Sequence, residues 1–296
     1  MDRALVILVL MVGFRVSAQP SASVVESAIV AEARFDTAEA LRLYLAALEQ
    51  EPHSPFLLQK IARQYSDTVD EADALPERRR LAELALSYAR RAVALQPDNA
   101  VNVLSVAIAQ GKMALASDPA QRLELSREVR AGAEQALRLD PTYAWAHHVL
   151  GRWHFEVVQV KGARRLFARM LYGGLPSASL DEALYHLQRA VELAPDHLLH
   201  RVEYGFALEA AGRVDEAREQ WQKSLTLPLQ QKDDANAQAR AQAALAGRKV
   251  AASTPRPLVG RPGFGASFFY SPGVSPASSS TACASAGQSG WRVTNS

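Results

Sequence analysis

The chain has 296 residues, of which 48% are hydrophobic and 22% charged, and 33 Lys and Arg against 31 Asp and Glu give a formal net charge of +2. This balance excludes a polycationic nucleic-acid binder, so no nucleic-acid partner is expected. The single cysteine, Cys283, excludes a disulfide scaffold and a zinc site built from cysteines.

Residues 1–18 predict a secretory signal peptide. Arg3 supplies the basic start, residues 4–14 are an unbroken apolar run, and the small residues around Ala18 predict cleavage before Gln19. Arg15, directly after the run, is atypical and leaves a short uncleaved anchor as the alternative. We therefore expect an exported protein, periplasmic or otherwise extracytoplasmic.

Helical signals dominate residues 19–250, where apolar residues recur with the period of an α-helix. One phrase repeats: a segment that starts with an alanine, at 47, 92, 136 and 190, ends at a proline, at 52, 97, 141 and 195. A degraded fifth copy ends at Pro228. A small alanine lets two helices approach closely, and proline ends a helix. Asp98, Thr142 and Asp196 then follow as predicted caps of the next helices.

This pattern resembles the tetratricopeptide repeat (TPR), a helix–turn–helix unit of about 34 residues. The first three intervals between the prolines are longer, which predicts insertions between the two helices of a unit near 66–76, 114–123 and 158–179. Asp233 and Asp234 open a polar last helix to about Gly247, a suitable cap for a solenoid. The resemblance implies an all-α, right-handed TPR-like solenoid of about five units plus a C-terminal capping helix.

The segment after the solenoid, residues 251–296, has a different composition. From Thr254 onward it contains no Asp, Glu or Lys and is rich in Pro, Gly, Ser and Ala. Such a segment buries too little apolar surface to offset the entropy of ordering, so we predict a disordered tail.

A narrower resemblance rests on Leu150-Gly151-Arg152-Trp153, the long insert after it, the turn at 176–179 and the late phrase Trp221 to Leu225. These features resemble the TPR domain of the regulator of microtubule dynamics family over residues 26–247. The resemblance implies a helical adaptor, linked in eukaryotic members to microtubules and organelle membranes and in one branch to lipid handling. The signal and the Arg- and Ala-rich composition predict an exported bacterial member, to which we do not extend the microtubule role.

No catalytic motif is recognisable, so we expect no enzyme, no cofactor and no catalytic residue. Six of the seven histidines lie between residues 147 and 200. A metal site would require three or four of them to converge with carboxylates. Ordinary helix-surface and groove histidines are the favoured interpretation, with a metal-dependent enzyme as the minor alternative and no metal ligand assigned.

In TPR proteins the first helix of each unit lines the concave groove. Placing each unit by its proline gives a largely apolar set of predicted groove residues: Phe56, Arg63, Leu104, Ile108, Trp145, His148, Arg152, Phe155, Val202 and Phe206. An apolar groove favours an apolar guest.

The insert of the fourth unit predicts a basic amphipathic helix over about 158–175. No acidic residue occurs between Glu156 and Asp181. The residues singled out are Lys161, Arg164, Arg165, Leu166, Phe167, Arg169, Met170 and Leu171. Such a helix can fill the protein's own groove, which is the favoured interpretation, or contact a lipid headgroup or acyl chain, or dock a partner protein.

The sequence therefore predicts a non-catalytic exported scaffold that binds a segment of a partner protein in its concave groove. The alternative is a lipid or hydrophobic-ligand carrier that uses the apolar groove and the basic insert helix, with a membrane surface as partner.

Overall fold

The computed structural model describes residues 20–172 and 174–247, without the side chains of Arg164 and Phe167 among others. The predicted signal peptide and the predicted tail lie outside the described residues. The described part forms twelve α-helices and no strand: α1 (Pro20–Ala33), α2 (Thr37–Gln50), α3 (Pro55–Val69), α4 (Leu75–Leu95), α5 (Ala100–Leu115), α6 (Pro119–Leu139), α7 (Ala144–Gln159), α8 (Ala163–Tyr172), α9 (Leu180–Leu193), α10 (Leu198–Ala210), α11 (Val214–Ser224) and α12 (Asp234–Leu245).

The helices form five helix–turn–helix units and a final helix. The paired helices are α1 with α2, α3 with α4, α5 with α6, α7 with α9, and α10 with α11, and α12 packs on the fifth pair. The insert of the fourth unit is the separate helix α8. The extra residues of the second and third units lengthen α4 and α6, which have 21 residues each.

The repeated alanine–proline phrase ends the second helix of the first four units. The residue before each proline donates its backbone N–H to the carbonyl of the phrase's alanine, as Gln96 does to Ala92 and Asp140 to Ala136. Ala92 and Ala136 are fully buried. The alanine therefore permits a close helix contact and also accepts the last hydrogen bond of its helix.

The predicted caps after the prolines are wrong by one residue. The N-cap positions of α5, α7 and α10 are held by Asn99, Tyr143 and His197. Only Asn99 caps with its side chain, which accepts from the backbone N–H groups of Val101 and Asn102. The turn after each proline is one residue longer than the spacing suggested.

Buried tryptophans anchor the core of the third to fifth units. Trp153 and Trp221 are almost fully buried. Trp153 donates its indole N–H to the carbonyl of Ser126 at 2.7 Å. Satisfying the indole N–H lets these large rings lie in an otherwise apolar core.

The two ends of the solenoid meet. The connection between α11 and α12 reaches back to the first units, where Lys232 donates to the hydroxyl of Thr37 at 2.9 Å and Gln231 accepts from Arg63 at 2.8 Å. We call residues 230–234 the clasp. The clasp therefore contacts the N-terminal part of the concave face, which is formed by the first helices of the units, α1, α3, α5, α7 and α10. Within the described ranges, no helix combines the length and apolarity needed to cross a membrane.

Candidate functional site

The predicted groove residues do not form an open apolar surface. Leu104, Ile108, Trp145, His148, Arg152, Phe155, Val202 and Phe206 are all buried. Arg63 is nearly buried and held in an ion pair with Glu32, and Phe56 alone of the set is clearly exposed. The apolar members pack between helices. The sequence left undecided whether the groove is open or filled, and in the structure these side chains are covered. That these residues contact a ligand stays a prediction.

Polar side chains instead connect neighbouring first helices along the concave face. Gln59 on α3 donates to the hydroxyl of Ser105 on α5 at 3.2 Å. Further along, Arg152 on α7 forms an ion pair with Glu203 on α10. All four side chains are buried. The concave face is therefore polar and already internally paired, which the apolar periodicity of the first helices did not reveal.

Glu32 organises the N-terminal end of this face. Its carboxylate accepts from Lys60 at 2.8 Å and from Tyr44 at 2.5 Å, and it pairs with Arg63 at 2.6 Å. Burial raises the pKa of Glu32, but Arg63 and Lys60 outweigh burial and hold that pKa below its ordinary value. Burial also lowers the pKa of the Lys60 ammonium, against the opposing effect of Glu32. Arg63 has a further hydrogen bond, which goes to Gln231 of the clasp.

Glu203 organises the C-terminal end of the face. Its side chain pairs with Arg152 and with Arg240 of α12, the latter at 2.7 Å. Arg152 also pairs with Glu156 on its own helix. Burial raises the pKa of Glu203, but the two guanidinium groups outweigh it, so the pKa lies below its ordinary value and the carboxylate is charged. The Arg240 guanidinium also lies over the ring of Phe206, 4.6 Å from its centroid.

The clasp meets complementary charges between these two ends. Lys232 pairs with Glu71 at 2.5 Å. Burial lowers the pKa of the Lys112 ammonium, but Asp70 and then Asp233 of the clasp outweigh burial and raise that pKa above its ordinary value. Asp234 accepts from the backbone N–H groups of residues 230 and 231, which holds the clasp in a tight turn. The chain's own segment thus lies on the concave face as a bound peptide would.

Four histidines form two pairs that join neighbouring helices, and all of them except the half-buried His186 are buried. His147 on α7 and His186 on α9 approach to 2.9 Å between their Nδ1 atoms, and His148 on α7 and His200 on α10 approach to 3.0 Å. Burial lowers the pKa of all four, to about 4 for His186. Three of these four are buried between helices and His186 lines a pocket, a pairing that the interpretation as helix-surface and groove histidines did not specify. In the part of the chain that the structure describes, no three His, Cys, Asp or Glu side chains are placed to hold a metal ion.

A separate pocket of about 550 Å³ opens between α6, α7 and α9. Its wall combines cationic, acidic and imidazole groups with the turn before α9, and includes Arg130, Glu134, Leu150, His154, Ser179 and His186. His154 Nδ1 accepts from the backbone N–H of Ser179 at 3.3 Å, which fixes that turn. The sequence reasoning missed this pocket, although two of the clustered histidines line it.

The insert helix α8 does not fill the concave groove. Leu166, Met170 and Leu171 are 59%, 71% and 66% exposed. Lys161, Arg165 and Arg169 are exposed as well, whereas the side chains of Arg164 and Phe167 lie outside the described residues. The favoured prediction, that the apolar face of this helix plugs the protein's own groove, is wrong for the described side chains. The clasp and α12 contact the concave face instead, at Arg63 and Glu203 respectively.

Comparison with known proteins bears on both predicted resemblances. The sequence profile of regulator of microtubule dynamics protein 1-3 matches residues 26–249. Regulator of microtubule dynamics protein 3 of Xenopus laevis is 29% identical over 143 residues, 48% of this chain and 31% of that protein. Regulator of microtubule dynamics protein 2 of Rattus norvegicus is 23% identical over 183 residues, 61% of this chain and 44% of that protein. The chain thus spans less than half the length of these relatives.

Among solved structures, a thermophilic TPR protein of Thermus thermophilus superposes with a TM-score of 0.57 at 21% identity, over 76% of this chain and 99% of that one. This likeness concerns the fold and confirms the predicted all-α TPR-like solenoid. Because the family profile covers most of the chain, the narrower resemblance is confirmed too. The chain belongs to the regulator of microtubule dynamics family.

Proposed function

We propose that the protein is a non-catalytic scaffold whose concave face binds a segment of a partner protein. The observation that carries this proposal is the clasp, a polar segment of the chain that lies on this face through Gln231, Lys232 and Asp233. A face that holds one polar turn of its own chain has donors and acceptors that another polar segment can use.

The groups on the face also explain why a peptide suits it better than a small apolar ligand. Arg63, Glu71 and Lys112 lie against the clasp and offer it both positive and negative charges. A buried charge must be paired to be tolerated. A partner segment that replaces the clasp must therefore present side chains that pair with these charges. This requirement makes binding selective for particular partner sequences.

Site-specific cross-linking tests this proposal. A photo-reactive phenylalanine analogue is placed at Phe56 or Glu71, at the rim of the concave face, and as controls at Leu95 or Tyr185 on second helices, all of which are exposed in the structure. We expect a discrete protein adduct in source cells at the two rim positions only. A synthetic peptide that spans the cross-linked segment should then bind the purified chain saturably. Adducts at the control positions alone, or a peptide that does not bind, would contradict the proposal.

The exposed helix α8 favours contact with an anionic lipid surface as a second candidate function. Its apolar side chains Leu166, Met170 and Leu171 are exposed to solvent. The basic residues Lys161 and Arg169 nearby in the sequence are exposed as well. An interfacial helix combines these two features. Flotation with phosphatidylglycerol vesicles should recover the protein, and the triple substitution Leu166→Ser, Met170→Ser, Leu171→Ser should abolish recovery. Equal flotation with phosphatidylcholine alone would reject charge-dependent binding.

We also propose that the protein is exported to the periplasm or another extracytoplasmic space. The proposal rests on the basic start, the apolar run and the cleavage pattern of residues 1–18. Expression with the full N-terminus, followed by N-terminal sequencing of the mature chain, should give Gln19 as the first residue. A chain that keeps Met1 and stays in the cytoplasm would overturn it.

A further inference from the structure

Helix α12 contributes one of the two guanidinium groups that pair with Glu203. On α7 and α10, Arg152 faces two carboxylates, Glu156 and Glu203. Arg240 of α12 supplies the second positive charge. Glu203 is only 1% exposed. Without Arg240 the buried Glu203 would lose one of its two guanidinium partners, and removing one partner of a buried ion pair is strongly destabilising.

The helix that brings this cation has little apolar anchorage. Its fully buried apolar side chains are two alanines, Ala237 and Ala241. The preceding helix α11 is held by the much larger Trp221. Elements with few buried apolar contacts open at low free-energy cost. Arg240 is therefore a major polar attachment of α12, whose apolar contacts with the core come from Ala237 and Ala241 and from the partly buried Ala244 and Leu245.

The site is shaped for a guanidinium group rather than for any cation. A planar group can pair with Glu203 along its edge while its face lies on the ring of Phe206, as Arg240 does at 4.6 Å from the ring centroid. Guanidinium combines edge hydrogen bonding with stacking, which an ammonium group cannot do.

We propose that Glu203, Phe206 and Arg152 form a receptor for an arginine side chain. In the structure Arg240 occupies this receptor. When the partner binds, an arginine of the partner segment displaces Arg240. The inference rests on the proposed scaffold function and specifies its ligand: a partner segment that carries an arginine. Binding of the partner then detaches α12 and opens the C-terminal end of the concave face.

Chemical rescue tests the receptor. The full chain with Arg240→Ala is titrated with N-acetyl-arginine amide, with the citrulline analogue as an isosteric neutral control. We expect saturable binding and recovery of the melting temperature with the arginine compound only. The double variant Arg240→Ala, Glu203→Gln should show neither. The matched control Arg213→Ala, which removes a surface arginine paired with Glu216, should show no rescue. Absence of rescue in Arg240→Ala would overturn the proposal.

Competition in the unmodified chain tests displacement and does not depend on the folding of any variant. A synthetic peptide of residues 233–247 is added, and hydrogen exchange of the α12 amides is measured. We expect faster exchange in the presence of the peptide, and roughly thirtyfold weaker competition when citrulline replaces its arginine. Unchanged exchange would overturn the proposal. If the partner cross-links at Phe56 and Glu71 whether or not its segment carries an arginine, that result would overturn the arginine receptor but would still support the scaffold function.

Discussion

Trp221 lies directly against the backbone of Gly205, where a Cβ atom would come within 2.4 Å of the indole Nε1. The same nitrogen donates to the carbonyl of Val202 at 3.2 Å, which fixes the ring. Gly205→Ala should therefore lower the free energy of unfolding by about 1–3 kcal/mol, measured by urea denaturation. In a helix interior this change ordinarily stabilises by about 0.5–1 kcal/mol, so a stabilised variant would contradict the packing described.

The pair formed by His148 and His200 predicts a stability that depends on pH. One neutral ring donates its Nδ1–H to the Nδ1 of the other, and burial, chiefly, holds both pKa values well below the ordinary value. The unfolded chain binds protons below about pH 6.5, whereas the folded pair does not. The contribution of this pair to the free energy of unfolding is therefore complete above that pH. It is lost as the pH falls, by about 2 kcal/mol per ring at pH 5.

Urea denaturation at pH 7.5 and at pH 5 measures this loss. In His200→Asn the loss between the two pH values should be smaller, because one buried titrating ring is gone. Arg152 and His197, which also disfavour protonation of this pair, stay in place in that variant. An identical pH dependence in both proteins would show that the pair does not control it.

Helix α8 should contribute little to stability. Because Leu166, Met170 and Leu171 are mostly exposed, replacing all three with serine removes little buried apolar surface. The free energy of unfolding should change by less than about 0.5 kcal/mol, measured by thermal and urea denaturation. A loss of several kcal/mol would mean that this face packs inside the protein after all.

The clasp should contribute measurably to the free energy of unfolding. Lys232→Met removes the ion pair with Glu71 and the hydrogen bond to Thr37, and should cost about 1 kcal/mol. Lys223→Met is the matched control, because it removes an exposed pair with Glu219 on one helix and should cost no more than about 0.5 kcal/mol. Equal losses in the two variants would show that the clasp is no more than a surface contact.

The sequence alone was sufficient to predict structural features that depend on residues close together in the chain. Helix ends before Pro97 and Pro141, the insert helix and the final helix all follow from local rules of propensity and termination. The family resemblance at Leu150 to Trp153 was also visible there.

Features that depend on residues far apart in sequence were not predictable in this way. Nothing near Lys232 indicates Thr37 as its partner, and nothing near Arg240 indicates Glu203. Helical periodicity identifies an apolar face but not what covers it. The sequence therefore assigned Leu104 and other apolar residues to the groove without deciding whether the groove is open or filled, and the structure shows these residues buried. The histidine pairs were missed for the same reason, since each pair joins two helices.

The contact between Lys232 and Thr37 also changes how the solenoid should behave as a whole. In an open array each unit contacts only its neighbours, so the end units can unfold first while the middle persists. Here the connection between α11 and α12 is attached to α2, so the units between these points are held at both ends and only α12 follows the contact. Those units should therefore unfold in one concerted transition rather than by progressive fraying, and they should resist stretching as a closed ring does.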